Sequence, residues 1–243
     1  MDRIRSLITS IDIFFANAGI SRASNPLSVD GLEPVFATNH VGHYALTTRL
    51  LPLLINAASK ENADVRIVIT SSNLSWYSRR IKFDTLTSPF DEKHGRPVEM
   101  YTRSKLANIL FGMKLAGHVR ERGYPNIHVN IAEPGIIFGT DVHRQMESAY
   151  SIWTRLLVIF LYWTVALSLE DGALTMLYLG TSPVIAEDGI SGQFYRPFGN
   201  RIPPEKYPKH ATRSLSEELW EWTENFVSKR EAELRVQWSS NTK

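Results

Sequence analysis

The sequence of 243 residues contains no cysteine. Disulfide bonds, thiolate metal sites and cysteine nucleophiles are therefore excluded from its chemistry. The absence also favours a reducing compartment, because small extracellular domains often depend on disulfides for their stability.

A strong charge of either sign is missing as well. The chain carries 27 Lys and Arg against 25 Asp and Glu, a net charge of +2, with no basic stripe and no acidic tail. Binding to nucleic acid requires clustered basic residues, so no nucleic-acid partner is predicted.

No apolar run is long enough to cross a bilayer. The longest, residues 156–167, holds about a dozen apolar residues, whereas a spanning helix needs about 20. The first twelve residues have only a broken apolar run, too short for a secretory signal. We therefore predict a cytoplasmic protein, and peripheral association with membranes or lipid droplets through residues 152–167 stays open.

Glycine is present, but not in the spacing that binds phosphate. Among the 14 glycines, no two are separated by a single residue. A Gly-x-Gly turn, whose backbone amides would receive a pyrophosphate at the start of a helix, is therefore missing from this sequence.

The pattern that is present alternates short apolar segments with longer segments of helical period, which is typical of βαβ units and a parallel sheet. The length and the 43% content of hydrophobic residues suit one α/β domain spanning residues 1–243. We predict strands over residues 11–15, 65–69, 126–132 and 193–195. Helices are predicted to begin at Asp30, Tyr101, Ser168 and Ser214, with Asp30 and Ser168 as N-caps.

Polar or turn-forming residues follow three of these strands. Asn17 comes after the first strand, Ser72 after the second, and Pro134-Gly135 after the third. Ligands of open parallel sheets bind beyond the carboxyl ends of the strands, so the three exits predict one shared crevice.

Tyr101 and Lys105 are four residues apart in a predicted helix, so their side chains share one face. A nearby ammonium favours the ionised form of a phenol and would make it a usable acid or base at neutral pH. With nine tyrosines in the chain such a pair can occur by chance, and its meaning depends on the neighbouring motifs.

Together these motifs resemble the short-chain dehydrogenases/reductases, in particular the retinol-dehydrogenase-like branch. The resemblance covers residues 11–226 and implies a Rossmann-like parallel sheet with flanking helices. The matching motifs are Asn17-Ala18-Gly19, Asn39-His40-Val41-Gly42-His43, Ser71-Ser72, Tyr101-x-x-Ser104-Lys105 and Pro134-Gly135.

The resemblance implies an NAD(P)-dependent oxidoreductase that interconverts a lipophilic alcohol and its aldehyde or ketone by hydride transfer. Tyr101 would exchange a proton with the substrate oxygen, and Ser72 would bind that oxygen. Lys105 would lower the pKa of Tyr101 and bind the nicotinamide ribose. Asn39 would interrupt its helix and hold a water molecule beside Lys105.

The implied cofactor is NADP or NAD, whose chemistry leaves positioning and proton handling to the protein. The residues that the resemblance places at this cofactor are Asn17, Ala18, Gly19, Tyr101, Lys105, Pro134, Gly135, Ile137 and Thr140.

The sequence departs from the family pattern mainly at its beginning. The family starts with a Thr-Gly-x-x-x-Gly-x-Gly turn after its first strand, and here the Asn17-Ala18-Gly19 turn comes almost at once. We therefore expect a fold truncated at its N-terminus, without the family's first three strands and with strand 11–15 at an exposed edge. Glu133 also differs, since relatives often carry histidine or a neutral residue there, and Thr140 lies one position late.

Other interpretations follow from these departures. A truncated, non-catalytic protein or interaction module that cannot bind the cofactor fully is one alternative. A homodimer paired through the helices of Asn39 and Tyr101 is another. Residues 141–168 are expected to form a variable apolar substrate lid. No metal site is predicted, because His40 and His43 lack a further ligand at suitable spacing.

Overall fold

A mostly parallel sheet lies between two layers of helices in the computed structural model, which describes residues 2–89, 97–137 and 166–241. The described strands are β1 (Ile13–Ala16), β2 (Val65–Thr70), β3 (Ile127–Ala132), β4 (Phe194–Arg196) and β5 (Asn200–Ile202). They lie in the order β1-β2-β3-β4-β5, and only β5 runs antiparallel to its neighbour. The predicted α/β class is confirmed, while β5 was not predicted.

The described helices are α1 (Asp2–Leu7), α2 (Pro34–Phe36), α3 (Gly42–Ala58), α4 (Pro97–Glu121), α5 (Leu169–Thr181), α6 (Pro183–Glu187) and α7 (Arg213–Asn241). A π-helical turn over Ala37–Val41 joins α2 to α3. Because α4 begins at Pro97 and not at Tyr101, the tyrosine lies one turn inside the helix and faces Lys105 from a regular position.

The two central strands, β2 and β3, are buried along their whole length, as expected of parallel strands covered on both faces. On one face, Val65, Ile67 and Ile69 pack in a cluster that includes residues of α3 and α4. On the other face, Val68 packs against Leu179 of α5 and Ile185 of α6. The helices thereby cover both faces of the sheet, and the functional site is expected at its carboxyl edge.

A buried arginine connects the sheet to α5. Arg66 of β2 pairs with Asp64 and donates to the carbonyl oxygens of Leu179, at 3.1 Å, and Ser182, at 3.0 Å. A buried charge is tolerated only when it is paired and hydrogen-bonded, and both conditions are met here.

The first predicted N-cap is wrong and the second is confirmed. Glu33, not Asp30, caps α2, since its carboxylate accepts from the backbone amides of Val35 and Phe36, both at 2.8 Å. Asp30 instead pairs with Arg230 of α7 at 2.8 Å. Ser168 caps α5 as predicted, accepting from the amide of Asp171 at 3.0 Å.

Helix α7 lies across α3 and α4. The ring of Trp220 is 5.1 Å from that of Tyr44 in α3 and 6.0 Å from that of Phe111 in α4, centroid to centroid. Thr223 of α7 also contacts His40, at 3.1 Å from Nε2. Helix α7 thus packs against both of the helices that the predicted homodimer would pair, and the homodimer stays a prediction.

Over the described ranges, none of the helices has both the length and the hydropathy needed to span a membrane. Most of the predicted lid, residues 141–168, and nearly all of the 152–167 segment lie outside the described residues.

Candidate active site

The exits of the four parallel strands lie side by side. The Thr70 hydroxyl at the end of β2 donates to Asn17 Oδ1, after β1, at 2.9 Å. The backbone amide of Ser71 donates to Ala132 O at 2.8 Å, and that of Glu133 donates to Tyr195 O at 2.8 Å. The predicted crevice at the carboxyl edge of the sheet is therefore lined by β1 to β4 in order.

Tyr101 and Lys105 meet at this edge. The Lys105 ammonium is 5.6 Å from the centroid of the Tyr101 ring. Lys105 is only 4% exposed, and its Nζ donates one long hydrogen bond, of 3.4 Å, to Thr70 O. An ammonium has three N–H donors, so as far as the described residues go Lys105 retains donors for another polar group in the crevice.

Burial dominates the ionisation of both groups. It raises the pKa of the Tyr101 phenol above 10, and the Ser72 hydroxyl, which interacts with the phenol, lowers it by less. Burial also lowers the pKa of Lys105 to about 8. The sequence predicted a lowered pKa for Tyr101, whereas its pKa in the structure is raised, because desolvation of the phenolate outweighs the contact with Ser72.

Ser72 lies where β2 ends and the backbone turns. Its hydroxyl accepts from the amide of Leu74, at 3.2 Å, as the cap of a 3₁₀ turn over Asn73–Tyr77. The same hydroxyl interacts with Tyr101. The structure therefore brings Ser72, Tyr101 and Lys105 together, as the sequence predicted.

Asn39 interrupts its helix as predicted, within the π-helical turn. Its side chain is fully buried, and Nδ2 donates to Ile20 O at 2.8 Å and to Ser104 Oγ at 2.9 Å, while Oδ1 accepts from Ile20 N at 2.8 Å. The Asn39 amide thus joins the turn after β1 to α4, and the predicted water beside Lys105 stays a prediction.

Close packing explains the glycine of the Asn17-Ala18-Gly19 turn. A Cβ added at Gly19 would lie 3.2 Å from Asn39 Oδ1 and 3.4 Å from Lys105 Nζ. The turn itself is exposed. An accessible backbone directly beside the buried ammonium is suited to a ligand that binds both.

His43 was not predicted as a site residue, yet it holds this turn. Its Nε2 lies 2.7 Å from Ala18 O, and since a carbonyl only accepts, Nε2 carries the proton. Burial and the charge of Lys105 lower the pKa of His43, which keeps the ring neutral, although its contact with Ala18 O opposes this. The sequence feature that could have indicated this role of His43 is the Gly42-His43 pair, about one helical turn after Asn39.

Pro134, Gly135 and Ile137 follow β3, and Gly135 has a positive φ of 82°. A Cβ there would lie 2.9 Å from both Leu167 and Pro197, so only glycine fits without displacement. Ile137 forms an isolated bridge with Leu167. Thr140, the last predicted cofactor residue, lies outside the described residues.

The two histidines considered for a metal contact different partners, His40 the Thr223 hydroxyl and His43 the Ala18 carbonyl. Burial lowers the pKa of His40 to about 3. Within the part of the chain that the structure describes, no group of three or more metal-ligating side chains occurs.

Comparison with known proteins gives clear relatives, although no protein-family model matches the chain. Human retinol dehydrogenase 14 is 36% identical over 217 residues, 89% of this chain and 59% of that protein. The chloroplastic short-chain dehydrogenase TIC 32 B of Brassica napus is 30% identical over 226 residues, 91% of this chain and 65% of that protein. The chain belongs to the short-chain dehydrogenase/reductase family. It spans about three fifths of the length of these relatives.

Solved structures agree on the fold. An uncharacterized protein from Mycobacterium paratuberculosis aligns with a TM-score of 0.63 at 24% identity, over 93% of this chain and 70% of that one. RhlG of Pseudomonas aeruginosa, in complex with NADP, aligns with a TM-score of 0.55 at 24% identity, over 80% and 68%. NADPH-bound carbonyl reductase from chicken fatty liver gives 0.52 at 20% identity, over 82% and 68%. At these identities the similarity establishes the short-chain dehydrogenase/reductase fold alone.

Proposed function

We propose that this chain catalyses NAD(P)-dependent interconversion of an alcohol and an aldehyde or ketone, with Tyr101 as the acid and base. The observation that carries the proposal is the meeting of Ser72, Tyr101 and Lys105 at the carboxyl edge of the sheet. The family supports it, since relatives at 36% and 30% identity are named as dehydrogenases.

The protein residues supply proton handling. Because burial raises the pKa of Tyr101, the phenol is protonated at neutral pH and can donate to a carbonyl oxygen. Ser72 orients that oxygen through its hydroxyl. Lys105, buried and cationic below about pH 8, stabilises the negative charge that Tyr101 acquires after the transfer.

The residues present fit the nicotinamide end of NADP or NAD. The exposed turn at Gly19 lies beside the remaining donors of Lys105, and Gly135 lets the backbone after β3 pack closely against Leu167 and Pro197. When bound, the cofactor supplies or accepts the hydride. A Gly-x-Gly pyrophosphate turn is absent from the 243 residues, so the proposal assigns them only the nicotinamide end. The choice between NADP and NAD is left open.

The test is oxidation of NADPH and NADH by the purified chain with a panel of aldehydes and ketones, for the parent and for Tyr101→Phe. We expect Tyr101→Phe to lower kcat by about 1000-fold, the usual scale of acid–base catalysis. Tyr77→Phe is the control, because Tyr77 is 79% exposed. Equal turnover by Tyr101→Phe and the parent would overturn the role of Tyr101.

A non-catalytic interaction module is the second candidate, and one observation favours it. Strand β1 lies at the edge of the described sheet, where Ile13 is 41% and Phe15 37% exposed. Exposed apolar edge strands tend to pair with other chains. Micromolar binding of NADPH by the 243-residue chain, measured by calorimetry, would contradict this alternative.

Three further expectations belong to the proposal. They are the single-domain organisation of residues 1–243, a cytoplasmic location and a small-molecule substrate. A lid formed by residues 141–168, and membrane contact through 152–167, stay predictions.

A further inference from the structure

Arg196, at the exit of β4, is held between an acid and an aromatic ring. Its Nε lies 3.5 Å from Glu133 Oε2, and its guanidinium carbon is 5.0 Å from the centroid of the Trp76 ring. The Arg196 side chain is nevertheless 53% exposed. The guanidinium is therefore fixed on two sides and open on the others.

Both groups that hold Arg196 are themselves fixed. Trp76 donates from Nε1 to Lys206 O at 3.1 Å and stacks on buried Phe194, with centroids 5.3 Å apart. Glu133 is 4% exposed and bound through its backbone amide to Tyr195 O. Because these anchors are already ordered, Arg196 loses little entropy when it binds a ligand.

Most N–H groups of the Arg196 guanidinium are available to bind a ligand. An arginine presents five N–H groups in a planar fork that matches a carboxylate. Nε faces Glu133, and neither Nη1 nor Nη2 of Arg196 makes a hydrogen bond to any residue of the described ranges. Up to four N–H groups therefore remain for a ligand.

The position of Arg196 relates it to the proposed reacting atoms. Ser71 pairs with Ala132 and Glu133 with Tyr195, so Ser72 and Arg196 lie at exits two strands apart. Neighbouring strands are about 4.8 Å apart, which puts their backbones roughly 10 Å from each other. A molecule of about one ring in length therefore matches the separation of the two strand exits that carry Ser72 and Arg196.

We infer that Arg196 binds a carboxylate on the substrate, with the face of Trp76 lining its apolar body. This inference rests on the proposed function and narrows its substrate to aldehydes, ketones or alcohols that bear a carboxylate about one ring away. Glu133 acts as a positioning residue, which directs the fork of Arg196 through Nε. Burial raises the pKa of the Glu133 carboxyl group, and the charge of Arg196 and its contact with the carboxylate oppose this shift.

A binding measurement tests the Arg196 site independently of catalytic turnover. Benzoate and benzyl alcohol, which share a ring and differ in charge, are titrated into the parent chain, Arg196→Met and Arg201→Met by calorimetry. We expect the parent to bind benzoate at least tenfold more tightly than benzyl alcohol, and Arg196→Met to lose that preference. Arg201→Met should retain it, because Arg201 is an exposed arginine on the neighbouring strand β5. Equal affinity of the parent and Arg196→Met for benzoate would overturn the inference.

Turnover then separates this inference from the proposed function. The ratio of kcat/KM for 4-formylbenzoate to that for 4-methylbenzaldehyde should fall about tenfold in Arg196→Met and recover only in part in Arg196→Lys, which keeps the charge and loses the planar fork. An unchanged ratio contradicts the inference while leaving the dehydrogenase intact. Absence of turnover with either aldehyde contradicts the proposed function, and the benzoate titration still decides whether Arg196 binds a carboxylate.

Discussion

The two sides of the crevice differ in how deeply their polar side chains are buried. On the α4 side, Asn39 is fully buried and Lys105 nearly so, and both are hydrogen-bonded within the chain. On the β4 side, the Arg196 side chain is half exposed, with Nε facing Glu133 and the guanidinium lying over the ring of Trp76. The first arrangement would preset the proposed proton chemistry, and the second leaves exposed the arginine that we propose binds a carboxylate.

This contrast has an energetic consequence. A buried polar group costs free energy when its partner is removed, whereas water replaces the partner of an exposed one. Substitutions on the α4 side should therefore cost stability, and substitutions on the β4 side should mainly change binding.

The largest effect on stability is expected for Asn39→Ala. It removes three hydrogen bonds and leaves the backbone amide and carbonyl of Ile20 without their partner. We expect the free energy of unfolding, measured with urea, to fall by about 4 kcal/mol. Asn56→Ala, at an exposed position of α3, is the control and should cost less than about 1 kcal/mol. Equal losses of unfolding free energy in the two variants would contradict the distinction between buried polar groups on the α4 side and exposed ones on the surface.

Lys105 should make the stability depend on pH. Its pKa is about 8 in the folded chain and near 10.5 when unfolded, so above pH 8 the unfolded chain binds more protons. Lys105 should therefore raise the free energy of unfolding by about 2 kcal/mol between pH 8 and pH 10, since one pKa unit corresponds to about 1.4 kcal/mol. Tyrosines whose pKa burial raises, such as Tyr44 and Tyr101, act in the opposite direction near pH 10, so the contribution of Lys105 is the difference between the parent and a Lys105 variant.

In Lys105→Met this rise should disappear, whereas Lys60→Met, at an exposed position, should keep it. Urea unfolding at a series of pH values measures the slope. Equal slopes in the parent and Lys105→Met would show that Lys105 does not cause the pH dependence.

The smallest effect is expected for Glu133→Gln. Glutamine keeps the volume and one acceptor oxygen, and the Arg196 that loses its ion-pair partner is half exposed and can be solvated. The free energy of unfolding at pH 7 should change by less than about 1 kcal/mol. A loss of unfolding free energy of about 3 kcal/mol or more would instead show that the Glu133–Arg196 pair stabilises the contact between β3 and β4. The expected difference between the two sides of the crevice would then be wrong.

Local signals account for the elements that were predicted correctly. The apolar runs of β2 and β3, and the Ser168 cap with its bond to Asp171, depend on residues close in the chain. The cap of α2 was misjudged because Asp30 and Glu33 both suit that role. Glu33 takes it, while Asp30 pairs with Arg230, which is 200 residues away.

The motifs Ser72, Tyr101-x-x-x-Lys105 and Asn39 were readable in the sequence because each occupies a fixed place after a strand or within a helix. The pKa values of the ionisable residues could not be predicted from the sequence. Burial decides them, and burial raises the pKa of Tyr101 where a lysine neighbour alone predicted lowering. His43 was missed because its partner, the Ala18 carbonyl, is 25 residues distant.

By itself the sequence determined the α/β class, the family and the residues at the strand exits, since these follow from periodicity and from motifs of neighbouring residues. Only the tertiary structure placed α7 over α3 and α4, buried Arg66 against α5 and set Arg196 between Glu133 and Trp76. These contacts join residues far apart in the chain, whose side chains carry no local sign of the partner they meet, and packing alone decides them.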